Sequence, residues 1–168
     1  MKILALDPAT FTGWACWDGH RLVSGTWDMR VRRDESADFR LIRLRSKLLE
    51  FKDIEQLYFE AAGMTRFSRA AQVAGQLEGV ILTWAHDQRV SFRSVKPTEL
   101  KKFATGKGNA GKPRMIVAAK RLTGYQGDND NEADARLVMS WAIKQFGLAE
   151  DQEAFEGVRY NEHYGEVS

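Results

Sequence analysis

Apolar residues fall along this chain in two rhythms: short dense runs, and longer stripes at helical spacing. Residues 2–8 hold Ile3-Leu4-Ala5-Leu6, too short for a helix and dense enough for a strand buried on both faces. Residues 8–12 read as a turn, 13–17 as a second strand and 22–27 as a third. Asp18-Gly19-His20 makes a tight turn, so the first three strands form an antiparallel meander. Helical spacing takes over in 34–51, with Phe39, Leu41, Ile42, Leu44, Leu48 and Leu49. Residues 54–60 read as a fourth strand, and 89–95 as a fifth. Between them, 66–86 place Ala70, Val73, Ala74, Leu77, Val80, Ile81 and Trp84 on one helical stripe. A helix starts at 96–103, with Pro97 tolerated in its first turn, and the glycines of 106–111 break it. Residues 112–122 are helical again, 124–129 form a polar loop, and 131–145 form the last long helix, with Leu137, Val138, Trp141 and Ala142 inward. The pattern predicts an α/β fold: one mixed five-stranded sheet, its first three strands antiparallel, with helices on both faces. One domain spans 1–147, and 148–168 form an acidic, loosely held tail.

Three acids sit at the ends of these elements. Asp7 closes the first strand, Glu60 closes the fourth, and Asp134 lies in the first turn of the last helix. A charge beside a core must be paired or must bind a metal. If the first and fourth strands are neighbours, Asp7 and Glu60 stand side by side and Asp134 completes the cluster. Three converging carboxylates suit a divalent metal with oxygen ligands, the chemistry of phosphodiester cleavage. Taken singly, Asp7 also reads as a turn cap, and Asp134 as a charge favourable to the helix dipole.

Charge sharpens that picture. Net charge is only +2, but residues 93–121 hold nine Lys or Arg against one acid, Glu99, a net of +8. Residues 122–168 hold ten acids against three bases, a net of −7. Arg30, Arg32, Arg33, Arg40, Arg43, Arg45 and Lys47 form a second basic cluster. Segregated signs suit a polyanion held over an acidic, metal-binding pocket, though solvated helix faces and an acidic tail give the same count. Cys16 is the only cysteine, which excludes intrachain disulfides and suits a reducing cytoplasm. No apolar run reaches the roughly 18 residues that cross a bilayer.

Four segments resemble the RuvC family of Holliday junction resolvases, in the ribonuclease H-like superfamily. They are Leu4-Ala5-Leu6-Asp7-Pro8 through Gly13-Trp14, then Phe59-Glu60, then Gln76-Leu77-Glu78-Gly79-Val80, and finally residues 105–112 together with Asn131-Glu132-Ala133-Asp134-Ala135. The resemblance covers about residues 3–145. It implies a homodimeric endonuclease that nicks branched DNA with Mg²⁺, or Mn²⁺ in its place, in the cytoplasm of a bacterial cell or a phage-infected host. Two ions roughly 4 Å apart would activate water and neutralise the leaving oxygen. Asp7 would bridge them, with Glu60 and Asp134 as further ligands. Lys112, in the glycine-rich turn with Lys107, would stabilise the transition state beside the scissile phosphate. Arg66, Arg69, Lys101, Lys102 and Arg114 would track the DNA backbone. Phe67 would either stack at the branch point or pack at a helix start. Residues Ala70, Ala71, Ala74 and Gly75 suit a dimer interface.

The chain departs from the family pattern in two places. Three residues before the last Asp, where the family has Asp or His, stands Asn131, an uncharged oxygen donor; Asp130 and Asp128 are near enough to replace it. Gly63-Met64 occupies the place of the aromatic that opens the junction. Such variation resembles the bacteriophage branch. Three alternatives are a broader flap and fork debranching nuclease, a non-catalytic junction-binding protein, and a sugar-kinase-like ATP binder. The last rests on Asp7 with Thr12-Gly13 and needs a second such domain.

Overall fold

The computed structural model describes residues 1–63 and 68–147. Five strands form one sheet in the order β3-β2-β1-β4-β5: β1 Ile3–Asp7, β2 Phe11–Trp17, β3 Leu22–Asp28, β4 Gln56–Glu60 and β5 Ser91–Val95. Strands β1, β2 and β3 pair antiparallel, while β1, β4 and β5 run parallel. This is the predicted mixed sheet with an antiparallel meander. The β2–β3 turn closes because Asp18 Oδ1 accepts the amides of His20 at 3.0 Å and Arg21 at 2.8 Å, while Gly19 takes a φ of 98°.

Side chains alternate across a strand, so the sheet builds two cores. Leu4, Leu6, Leu57 and Phe59 face helices α1 Phe39–Leu49 and α2 Arg69–Asp87. Ile3, Ala5 and Tyr58 face α3 Pro97–Thr105, α4 Lys112–Thr123 and α5 Asp130–Phe146. By the same parity Asp7 and Glu60 turn toward the α3–α5 layer.

Several boundaries differ from the pattern reading. The first helix starts at Phe39 rather than 34, and β5 starts at Ser91 rather than 89. Both differences lie in polar stretches without periodicity, where only local hydrogen bonds decide. Helix α2 begins at Arg69, after Ser68 caps the amide of Ala71 at 3.1 Å. Helix α5 begins at Asp130, so Asp134 sits in its second turn rather than its first. Asn129 caps this helix through Oδ1, which accepts the Glu132 amide at 3.0 Å and the Thr26 hydroxyl at 3.1 Å. The expected tail, 148–168, lies outside the described residues.

Helix α5 is buried on nearly every side, from Ala135 through Ile143. Even Arg136 is 1% exposed, and its guanidinium donates to the Thr123 hydroxyl, the Thr123 carbonyl and Ser24 Oγ. At Gly13 the helix lies tight against the sheet. A Cβ there would stand 1.9 Å from the Asn131 carbonyl oxygen and 3.2 Å from the Ala135 methyl. Gly13 is the register partner of Asp7, so this contact sets how near α5 comes to the end of β1. Gly13→Ala should destabilise the fold by about 1–3 kcal/mol, as overpacking does. Urea denaturation measures this, and an unchanged midpoint would mean that α5 is not seated on β2 at this point.

Candidate functional site

The parallel pairing of β1 and β4 puts Leu6 opposite Phe59, so Asp7 and Glu60 are next along the same two strands. Asp134 comes down on them from α5, which lies across β1, β2 and β4. All three carboxylates are partly buried. Glu132, two residues before Asp134, turns away as the helical angle requires: Oε1 accepts the Ser24 hydroxyl at 2.6 Å.

The three acids strain against one another. Asp7 has its pKa pushed well above the usual carboxylate range, first by desolvation, then by Glu60, Asp134 and Asp130, with Lys112 opposing. Glu60 is pushed to about 7 by desolvation and then by Asp134. Asp134 is pushed to about 6 by desolvation and then by Asp130. Lys101 draws both Glu60 and Asp134 back down. Its charge therefore bears on the acids themselves, a role the sequence reading did not give it. Asp134 Oδ1 is buried with no hydrogen-bond partner among the described residues. A desolvated all-oxygen donor set with an orphaned acceptor and no buried cation fits a hard divalent ion. Among the described residues no three His, Cys, Asp or Glu close on one point as a finished metal shell does.

Asp130 and Asn131, the two candidates for a further ligand, lie beside this cluster. Asp130 is one turn before Asp134 on the same helix face. It forms an ion pair with Lys112, which lowers its pKa. Asn131 donates its amide to Asp130 Oδ1 at 3.3 Å. Asp128 instead holds Lys120 at 2.7 Å.

The structure brings Lys112 and Lys101 to the acids. Lys102, Lys107 and Arg114 are exposed, on α3, on the loop after it, and on α4. Arg69 is exposed at the start of α2. Arg66 and Phe67 lie outside the described residues. Pattern reading missed the close approach at Gly13, although a glycine inside a strand signals one. It also missed Arg136, whose burial only packing reveals.

No family model matches the chain. Its structure is similar to Thermus thermophilus RuvC, with a TM-score of 0.69, 21% identity, and coverage of 88% of this chain and 97% of that one. T. thermophilus RuvC in complex with Holliday junction substrate also gives 0.69, at 20% identity over 86% and 94%. The yeast mitochondrial Holliday junction resolvase Ydc2 gives 0.58, at 12% identity over 91% and 81%. The fold is thus that of the ribonuclease H-like proteins.

Sequence narrows the class. The crossover junction endodeoxyribonuclease RuvC of Anaeromyxobacter sp. (strain K) is 40% identical over 70 residues, 42% of this chain and 38% of the relative. That of Brachyspira hyodysenteriae is 32% identical over 85 residues, 51% and 50%. The chain spans half or less of the length of these curated relatives. In fold, and in these stretches of sequence, the chain is similar to RuvC.

Each raised carboxyl pKa has a sign for stability. Ionisation costs more in the folded chain than in the unfolded one, so stability falls as pH rises from the ordinary carboxylate range to about 7. In chelator the melting temperature should therefore fall between pH 5 and pH 8, and Mg²⁺ should restore it at pH 8. Asp7→Asn should raise the chelator value at pH 8 and abolish most of the Mg²⁺ effect. A wild-type melting temperature indifferent to both pH and Mg²⁺ would contradict this site.

Proposed function

We propose that this chain is a metal-dependent endodeoxyribonuclease that resolves four-way DNA junctions by paired nicks leaving 5′-phosphates. The observation that carries the reading is the convergence of Asp7, Glu60 and Asp134 on one sheet edge, with Asp134 Oδ1 left without a partner among the described residues. The curated RuvC relatives and the RuvC structure bound to Holliday junction substrate support the substrate class.

Asp7, Glu60 and Asp134 would hold Mg²⁺, two ions per site, with Asp130 or Asn131 contributing a further oxygen. Such ions supply Lewis acidity and a more acidic water. The chain's own groups do the rest. The carboxylates would set where those ions are held. Lys112 is held at the site by Asp130, and its charge acts on Asp7. It would meet charge developing on the phosphate. Lys101, Lys102, Lys107, Arg69 and Arg114 would hold backbone phosphates without reading bases.

A homodimer would supply two matched sites to a junction of near two-fold symmetry. On α2, added Cβ atoms at Gly75 and Gly79 would meet nothing within 4 Å. Ile42, on the neighbouring α1, is 57% exposed. These features favour an interface on the α1–α2 face. A non-catalytic junction binder is the second reading, favoured by Asn131 and by the engagement of Asp130 with Lys112.

Cleavage of a labelled four-way junction beside a matched linear duplex, in Mg²⁺ and in chelator, tests the proposal. Wild type should nick the junction symmetrically in Mg²⁺ and not in chelator. Asp7→Asn should lose at least about a hundredfold in rate, more than loss of a supporting contact costs, and keep junction binding. Lys112→Ala should slow cleavage about 10²–10³-fold, more than it weakens binding. Asn131→Asp should hold or raise activity if that residue faces the ions. Tight binding without cleavage under any divalent metal would favour the junction binder, and equal cutting of flaps and forks a broader debranching nuclease.

A further inference from the structure

The second basic cluster of the sequence is not explained by the carboxylate site. One member, Arg40, opens α1 and is only 6% exposed. Among the described residues its guanidinium has one hydrogen bond, from Nε to the Ala37 carbonyl at 3.1 Å, and no ion pair. A buried cation without a counter-charge is costly, and two acids of the same region are paired with other arginines. Asp28 is held by Arg30 at 2.6 Å, and Glu35 by Arg43 at 2.6 Å.

Arg40 lines a cleft of about 410 Å³ whose other walls include Thr10, Arg30, Arg69 and Val73. Three arginines and no acid therefore face one space. Arg30 is steadied from outside, bonded to Asp28 and lying 4.9 Å over the Phe11 ring. Arg69 is exposed in the first turn of α2. The cleft opens at the sheet edge that carries the carboxylates: Thr10 lies in the β1–β2 turn three residues past Asp7, and Arg30 follows the end of β3. It lies on the α1–α2 side of that edge, opposite the face that Asp134 covers.

We propose that this cleft is a second phosphate site, in which the Arg40, Arg30 and Arg69 guanidiniums hold a backbone phosphate of the DNA strand that crosses the carboxylate edge. Guanidinium forks match phosphate oxygens two by two, and a phosphate supplies the charge that Arg40 lacks. The strand is then gripped on both sides of the edge, by Lys112 and Lys101 on one and by the three arginines on the other. This deepens the DNA reading above and rests on it, but the pocket itself is testable without cleavage.

The experiment has two arms, both in chelator. In the first, melting of the whole chain is followed in phosphate-free buffer against added inorganic phosphate, with sodium chloride matching the ionic strength. Wild type should rise in melting temperature with phosphate, and Arg40→Met should not. In the second, four-way junction affinity is measured against salt concentration. Arg69→Ala and Arg40→Met should each weaken binding several-fold and lower the slope of log affinity against log salt by about 1. Arg69 is exposed, so its variant answers even if Arg40→Met folds poorly. A phosphate rise in wild type with unchanged slopes would assign the cleft to free phosphate and overturn the strand assignment. No rise in wild type, with unchanged slope in Arg69→Ala, would overturn the site altogether. Since neither arm reads cleavage, failure of the nuclease reading leaves both results standing.

Discussion

The burial of Asp7, Glu60 and Asp134 beside one another is the constraint on which the surrounding structure turns. Each carboxyl is desolvated, and burial together with the neighbouring acids holds its pKa above the usual carboxylate range, against the pull of Lys112 and Lys101. Such an arrangement persists only because surrounding structure imposes it. Parallel pairing of β1 with β4 imposes the first contact, and the seating of α5 imposes the second.

Helix α5 is held to that position by several independent contacts. Its first turn is capped by Asn129, which Thr26 of β3 in turn grips. Tyr125 accepts the Asn129 amide at 3.0 Å and gathers the loop before the helix. Arg136 ties it to α4 through Thr123 and to β3 through Ser24. Gly13 removes the one side chain that would keep helix and strand apart. These contacts account for the burial of a charged residue deep in an apolar layer. Arg136 is hydrogen-bonded on several sides, whereas Arg40, in the layer on the other face of the sheet, has a single bond among the described residues. That contrast separates a cation placed for structure from one that awaits an anion.

The positive charges divide in a related way. Lys112 and Lys101 act on the acids directly, while Lys102, Lys107 and Arg114 stay in solvent on the same α3–α4 layer. The arginines of the α1 region lie on the other layer. A polyanion crossing the carboxylate edge thus meets cations on both flanks, which offsets the cost of bringing phosphates toward carboxylates.

Much of this was legible along the chain. Dense apolar runs named all five strands, helical stripes named the helices, and acids at strand ends named Asp7 and Glu60, because periodicity records burial and a charge ending an apolar run needs a reason. Helical angle alone points Glu132 away from Asp134, and its carboxylate accepts the Ser24 hydroxyl. Element ends in polar stretches were not legible, since without periodicity only caps and turns decide them, as at Phe39 and Asp130. Strand order, the pairing of Lys112 with Asp130 rather than with solvent, the reach of Lys101 and the isolation of Arg40 were decided by tertiary structure. Sequence determines what each residue is able to do and which face of its own element it occupies. Which charges meet depends on distances between elements far apart in the chain, and those distances exist only once the layers have closed on the sheet.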